Sequence, residues 1–316
     1  MKPRTLLLIL TALFIISAGC FLFWGLPVQA MGFILPRRVI KVTALCVTAV
    51  SIAISTTLFQ TVSANTILTP SILGLDSLYL LIQTLVMFLF GAQTLVIMSR
   101  ISDFLLSVGL MVLFSLALFS LLLGKRPMAV TTVLFLGMIV GQLFGALSSF
   151  FQLLIDPNEF LTIQARMFAS FNTINTSLLL VSTLIVAFAC LLLIPLVDTL
   201  DVLAMGREMA INLGIDHRRL SRWLLIGVSI LTAVATALVG PITFLGLLVV
   251  SLARQISPTF RHRIILPVSA LLAMVTLLIG QFIFERILHF STPISIIINF
   301  VGGIYFLSLL IKRRRI

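Results

Sequence analysis

The chain has 316 residues, 60% of them hydrophobic and only 9% charged, with a formal net charge of +12 and a mean hydropathy of +1.26. Soluble domains carry about a quarter charged residues, so this composition excludes a soluble enzyme or binding module and indicates a polytopic, all-α membrane protein. The basic excess is not a nucleic-acid footprint, because its distribution follows membrane topology.

A membrane span takes roughly 20 apolar residues. Ten segments qualify: 6–26, 39–60, 71–98, 104–123, 128–155, 175–195, 223–239, 242–253, 264–283 and 294–311. The stretch from Met1 to Trp24 resembles a signal peptide, and Ser17-Ala18-Gly19-Cys20 faintly resembles a lipoprotein cleavage site. The stretch is nevertheless long enough to span, and it is taken as the first helix. Segment 71–98 is overlong and must tilt or break. Segment 242–253 is short and follows Gly240-Pro241, which predicts a partial helix.

With both termini in the cytoplasm, Lys2, Arg4, Lys125, Arg126, Arg207, Arg218, Arg219, Arg222, Arg254, Arg261, Arg263, Lys312, Arg313, Arg314 and Arg315 lie inside. Arg37, Arg38, Lys41, Arg100, Arg166 and Arg286 then lie outside. The inverted topology would reverse the positive-inside bias. The whole chain, 1–316, reads as one transmembrane domain, without a linker and without the G-x-x-x-x-G-K-[ST] phosphate loop. Any ATP used must be hydrolysed by another chain.

At the outer start of the second span, Arg38 and Lys41 lie three apart on one helical face, and Arg286 lies at the outer end of the ninth. These outward cations either meet acids on an extracytoplasmic partner or snorkel to headgroups. After the second span, Gln60 to Asp76 carries hydroxyls, Asn65, Pro70 and Gly74. It is either an ordinary boundary turn or irregular backbone beside an aqueous path. In the second case Asn65 and Ile67 are constriction candidates, with Thr131 and Thr132 opposite.

Gly137, Gly141 and Gly145 recur every four residues and allow close helix approach. Asp156-Pro157-Asn158-Glu159 predicts a short external helix over 159–170. Asp76 is the acid nearest to being intramembrane, and a structural role fits it because no second acid is placed to relay a proton. Cys20, Cys46 and Cys190 lie within spans as small packing residues, and His217, His262 and His289 lack ligand spacing, so no metal site is expected.

The most distinctive segment is a polar island at about 198–222, where the chain leaves the lipid and forms short helices. Asp198 or Asp201 can cap a helix beginning near 200. Gly214 can close it in the left-handed conformation, and Asp216 can cap the next helix. The island is either a solvated loop or a pair of coupling helices docking into a soluble partner, with Ala204, Gly206, Ala210 and Gly214 permitting close approach.

The island resembles the L-x-x-L-x-x-G-x-x-x-A-x-x-L-G segment of the iron-chelate and cobalamin uptake permeases, the type II ABC importers, here Leu200, Leu203, Gly206, Ala210, Leu213 and Gly214. Gly240-Pro241-Ile242-Thr243-Phe244-Leu245-Gly246-Leu247 with Ala253-Arg254, and Pro293-Ile294 to Gly302-Gly303 with Tyr305-Phe306-Leu307, resemble that family's later motifs in the same order. The stretch Phe59-Gln60 to Ile82-Gln83 looks like a subgroup handling siderophores of catecholate or petrobactin/anguibactin type.

The resemblance implies ten spans per subunit, with a path at the interface to a second permease subunit, an unequal partner in this subgroup. Two copies of a cytoplasmic ATPase, holding ATP and Mg, would dock on Leu203, Gly206, Arg207, Glu208, Ala210, Leu213 and Gly214. A periplasmic siderophore-binding protein would meet Arg38, Lys41 and Arg286 and deliver a ferric siderophore across the bacterial inner membrane. Asn65 and Ile67 match one cytoplasmic gate and Thr131 part of a second, and the chain itself would bind no cofactor.

Three positions depart from the family pattern: Val250-Ser251 stands where Pro-His is common, Thr292 where an acid is, and Asn65-Thr66-Ile67 where the gate reads N-P-L. These departures favour an unequal pair over a homodimer. The alternative, an ion-coupled secondary transporter of a small solute, predicts paired intramembrane acids or mid-membrane broken helices with coordinating groups.

Overall fold

A computed structural model of the chain describes residues 2–97, 100–123, 130–157, 168–172, 174–287 and 294–313, with the single positions 160 and 164. The side chains at 28, 92–97, 122–123, 130–131, 287 and 309–313 lie outside that description. Most of the expected external helix 159–170 also lies outside it, as do Lys125, Arg126, Arg166, His289, Thr292, Pro293, Arg314 and Arg315.

Every regular element among the described residues is helical: α1 Pro3–Phe23, α2 Met31–Val62, α3 Leu75–Ile97, α4 Arg100–Leu123, α5 Val130–Leu154, α6 Thr176–Leu193, α7 Val197–Leu203, α8 Arg207–Asn212, α9 His217–Val239, α10 Leu245–Ile256, α11 His262–Phe282 and α12 Ile294–Arg313, with short 3-10 and π turns between some of them. Among the described residues, seven helical stretches are long and apolar enough to cross a membrane, and Leu75–Gly91, Leu245–Ile256 and Ile294–Ser308 are shorter apolar helices.

The shorter stretches have local causes. Segment 71–98 is interrupted twice. It opens with a 3-10 turn, Pro70–Leu73, closed by Gly74 at φ 88°. Its helix then breaks at Gly91, whose φ of 71° and ψ of 166° cannot continue an α-helix. The segment after Gly240-Pro241 is the expected partial helix, the 12-residue α10.

Helices α2, α9 and α11 form the buried centre, while α1, α4, α5 and α6 expose most of their apolar surface. The centre uses small and hydroxyl residues where the periphery uses Leu and Phe. In α2, the hydroxyls of Ser51, Thr57 and Thr61 donate to the carbonyls of Val47, Ala53 and Thr57 at 2.8, 2.7 and 2.8 Å. Such i−4 bonds satisfy each hydroxyl within its own helix, so α2 can carry polar residues at its buried face. Hydroxyl pairs also join helices, with Ser115 and Ser229 at 2.8 Å and Thr84 and Ser148 at 2.9 Å. Where driving force from water is missing, close packing and such bonds hold helices together.

Residues 168–172 are tied down at two points. Ser170 N donates to Val239 O at 2.9 Å, and Ala169 N donates to Ser295 Oγ at 3.0 Å.

Candidate functional site

The polar island folds as two short helices rather than one. Gly206, at φ 100°, separates α7 from α8, and Gly214, at φ 81°, ends α8. There Gly214 N donates to Ile211 O at 2.9 Å and Ile215 N to Ala210 O at 3.0 Å. This pair of bonds is a Schellman motif, which only a left-handed residue completes without strain. Asp216 then caps α9, its Oδ1 accepting from Arg219 N at 3.0 Å.

Neither Asp198 nor Asp201 caps a helix start within the island, as the sequence led one to expect. α7 begins earlier, at Val197, and both carboxylates point from its body to the start of α11. Asp198 accepts two bonds from the Arg263 guanidinium, from Nε at 2.5 Å and Nη2 at 2.6 Å. Asp201 Oδ1 accepts from the His262 backbone N–H at 2.7 Å and meets His262 Nδ1 at 2.6 Å. The expected cap is therefore made across helices, with α7 supplying the acceptor for α11.

The predicted coupling residues divide by exposure. Leu203 and Ala210 are buried and anchor the island on its own subunit, whereas Arg207, Glu208, Leu213 and Gly214 are exposed and Gly206 is half-buried. Met205, Met209 and Ile211, which the motif comparison did not select, are also exposed beside Leu213. Together with Arg207 and Glu208 they make a mixed apolar and charged exposed patch, of the kind that interaction surfaces show.

The predicted gate residues follow the end of α2. That helix ends in a second Schellman motif, with Ala64 N donating to Thr61 O at 3.3 Å and Asn65 N to Gln60 O at 3.1 Å. Its left-handed position is Ala64 at φ 48°, the one such non-glycine among the described residues. Asn65 Oδ1 then accepts from Ile67 N at 3.0 Å, an Asx turn that orients both residues. Thr131 lies in the first turn of α5, and its side chain falls outside the described residues.

At the opposite end of α2, the predicted docking cations converge on one cavity of about 480 Å³, lined by Arg37, Arg38, Lys41, Asn172, Glu285 and Arg286 with apolar neighbours. Arg38 is turned inward, 6% exposed. Its Nη1 donates to Leu22 O at 2.6 Å and Trp24 O at 2.9 Å, with Phe21 O at 3.4 Å. It thus satisfies the orphan carbonyls of the α1 C-terminus, where a cation is also favoured by the helix dipole. Lys41 Nζ bonds Glu285 Oε1 at 2.6 Å and Asn172 Oδ1 at 2.9 Å. Glu285 and Arg286 lie on a π-helical turn, Ile283–Ile287, that continues α11. Asp76, at the start of α3, accepts from Thr243 Oγ1 at 2.8 Å and so ties α3 to the turn before α10, as a structural residue would.

Broken and partial helices around a small-residue centre, with a helical insertion on one side and a charged cavity on the other, fit a polytopic membrane permease. The model of the FecCD transport family matches residues 5–312, and the chain belongs to that family. It is 47% identical, over 100% of its own length and 99% of the relative's, to the petrobactin import system permease protein YclO of Bacillus subtilis (strain 168). It is 33% identical to the petrobactin import system permease protein FatC of Bacillus anthracis, over 98% of this chain and 88% of that one. Among solved structures, an inward-facing metal-chelate type ABC transporter superposes with a TM-score of 0.83 at 26% identity, covering 98% of this chain and 100% of that one. The chain is a transport subunit and not itself an enzyme.

Proposed function

We infer that the chain is the permease subunit of an ATP-driven importer that carries a ferric siderophore, of petrobactin or related catecholate type, into the cytoplasm. The observation that carries this reading is the match along nearly the whole chain to petrobactin import permeases. The ion-coupled alternative is not favoured by that family.

In this reading ten helices span the bacterial inner membrane with both termini in the cytoplasm, and the permease pairs with an unequal second permease subunit. That pairing is supported by two distinct relatives, FatC and FatD, that are both petrobactin import permeases of one organism. Two copies of an ATPase, which hold ATP and Mg, dock on α7 and α8. Met205, Arg207, Glu208, Met209 and Leu213 make the contact, Gly206 and Gly214 set its shape, and Leu203 and Ala210 anchor it. Asn65, Ile67 and Thr131 form the cytoplasmic gates. On the outer face a periplasmic siderophore-binding protein meets Arg286 and Lys41, while Arg38 holds the shape of the cavity behind them.

The permease has two access states, and ATP in the partner shifts their balance only by binding one state better. The test is uptake of labelled ferric petrobactin by cells lacking this chain, complemented with wild type or with Leu213→Asp at equal membrane levels. Wild type restores ATP-dependent uptake, and the variant, with a charge in the docking face, restores little. Failure of wild type to restore uptake of any ferric siderophore overturns the cargo, and equal uptake by the variant overturns the docking assignment.

A further inference from the structure

The cytoplasmic end of α2 and the island are joined through one buried side chain. His262, 1% exposed, sits at the first position of α11. Its Nδ1 lies 2.6 Å from Asp201 Oδ1 on α7, and its Nε2 lies 2.9 Å from Thr61 Oγ1 in the last turn of α2. Thr61 itself donates to Thr57 O at 2.8 Å, which leaves its oxygen to accept from Nε2. A ring protonated on both nitrogens makes both contacts as donor. A singly protonated ring keeps both only if Thr61 turns its hydrogen from Thr57 to Nε2.

We propose that His262 is a positioning residue that carries displacement of the island to the gate. It clasps α7 on one side and α2 on the other, three residues before the turn Ala64-Asn65 that orients Asn65 and Ile67. Three features support this. First, the Asp201–His262–Thr61 contacts are side-chain bonds that join three different helices at one point. Second, Asp201 holds the start of α11 twice, accepting from the His262 backbone N–H and meeting its ring, so α7 is tied to the first turn of α11. Third, the ring is buried while Asp201 is partly open, so the clasp sits between the docking surface and the core. Coupling between sites requires an element with differential contacts in two arrangements, and the proposal assigns that role to the end of α2 with its left-handed Ala64 turn. The inference rests on the proposed coupling to an ATPase, but not on the identity of the cargo.

The test uses the complete transporter in lipid nanodiscs, with Cys20, Cys46 and Cys190 replaced by Ser and Ala64→Cys as the reporter. The rate of maleimide modification at position 64 is measured with and without ATP, alongside ATP hydrolysis and ferric siderophore transport. In the parent, ATP changes the modification rate about fivefold or more, the lower end of ordinary coupling. With His262→Ala that response is lost while the assembled complex still hydrolyses ATP, so transport per ATP falls. Thr61→Val, which cuts only the α2 side and leaves the α7 tie intact, gives the same loss and serves where His262→Ala fails to assemble. His262→Asn, whose amide can still reach Asp201 but not Thr61, behaves like Thr61→Val. A full ATP response in either the His262→Ala or the Thr61→Val complex overturns the proposal, as does a parent in which ATP leaves position 64 unchanged. A parent that moves position 64 through His262 yet transports no ferric siderophore supports the clasp and overturns the cargo.

Discussion

Gly74 and Gly141 touch backbone to backbone. A Cβ on Gly141 would lie 2.8 Å from Gly74 Cα, and one on Gly74 would lie 2.7 Å from Gly141 Cα. Gly74 is also held at φ 88°, so the junction of the 3-10 turn with α3 is pressed directly onto α5. Gly137, one turn earlier, receives Leu73 in the same way.

That contact predicts a graded response along one stripe. Gly141→Ala forces a methyl into backbone and lowers stability by about 1–3 kcal/mol, read as a fall in the thermal unfolding midpoint in detergent. Gly145→Ala is the control. Nothing lies within 4 Å of its Cβ position, and removing a mid-helix glycine there leaves stability unchanged or raises it by up to about 1 kcal/mol, so the midpoint does not fall. Equal destabilisation by both substitutions would remove the close approach as the reason for the spacing.

Arg38 gives a second prediction. Its guanidinium serves three carbonyls at the end of α1 from a buried position, so Arg38→Ala leaves those carbonyls short of a donor and costs about 1.5–3 kcal/mol. All three contacts come from the single nitrogen Nη1, so Arg38→Lys, which keeps the charge and one donor nitrogen on a stem of different reach, falls between the two. Limited proteolysis at the α1–α2 connection and the unfolding midpoint both report it. A wild-type midpoint in Arg38→Ala would show that the cap contributes nothing to the fold.

The helical class, the breaks in segment 71–98, the short α10 and the Gly214 cap were legible in the sequence, because each follows from apolar run length or from one glycine or proline. The roles of Asp198, Asp201 and His262 were not. Helix caps are normally supplied by the preceding residue, and nothing in the local sequence says that α11 takes its acceptor from Asp201, 61 positions earlier in the chain. Arg38 and Lys41 were legible as cations on one helical face, but their internal partners, the α1 carbonyls and Glu285, depend on how helices far apart in sequence meet. In the island, Leu203 and Ala210 belong to the motif yet face inward, and only packing separates them from the exposed Met205, Met209 and Leu213.

Gly214 and Leu213, adjacent in sequence, are expected to fail differently. Gly214→Ala places a Cβ at φ 81° and costs about 1–2 kcal/mol of local strain, so the Schellman turn loosens and both ATPase binding and island protection from hydrogen exchange fall. Leu213→Asp leaves the turn intact. It reduces ATPase binding in a pull-down of the detergent-solubilised complex while exchange at 207–214 in the free permease stays at wild-type rates. If both variants change exchange equally, Leu213 is a packing residue rather than a contact.

The two carboxylates of α7 make the sharpest contrast. The Asp198–Arg263 pair has good bidentate geometry but both side chains are largely exposed, 62% and 70%. Solvent and salt screen such a pair, and the order lost in fixing two long side chains offsets most of its attraction. Asp198→Asn is therefore expected to leave the unfolding midpoint unresolved from wild type at physiological salt. Asp201→Ala, one turn along the same face, strips the acceptor from both the backbone N–H and the ring of His262. A buried donor left unmet costs about 1–3 kcal/mol, so the midpoint falls and amides in the first turn of α11 exchange faster. A drop for Asp198→Asn as large as that for Asp201→Ala would mean that charge, rather than satisfaction of buried donors, holds α7 to α11.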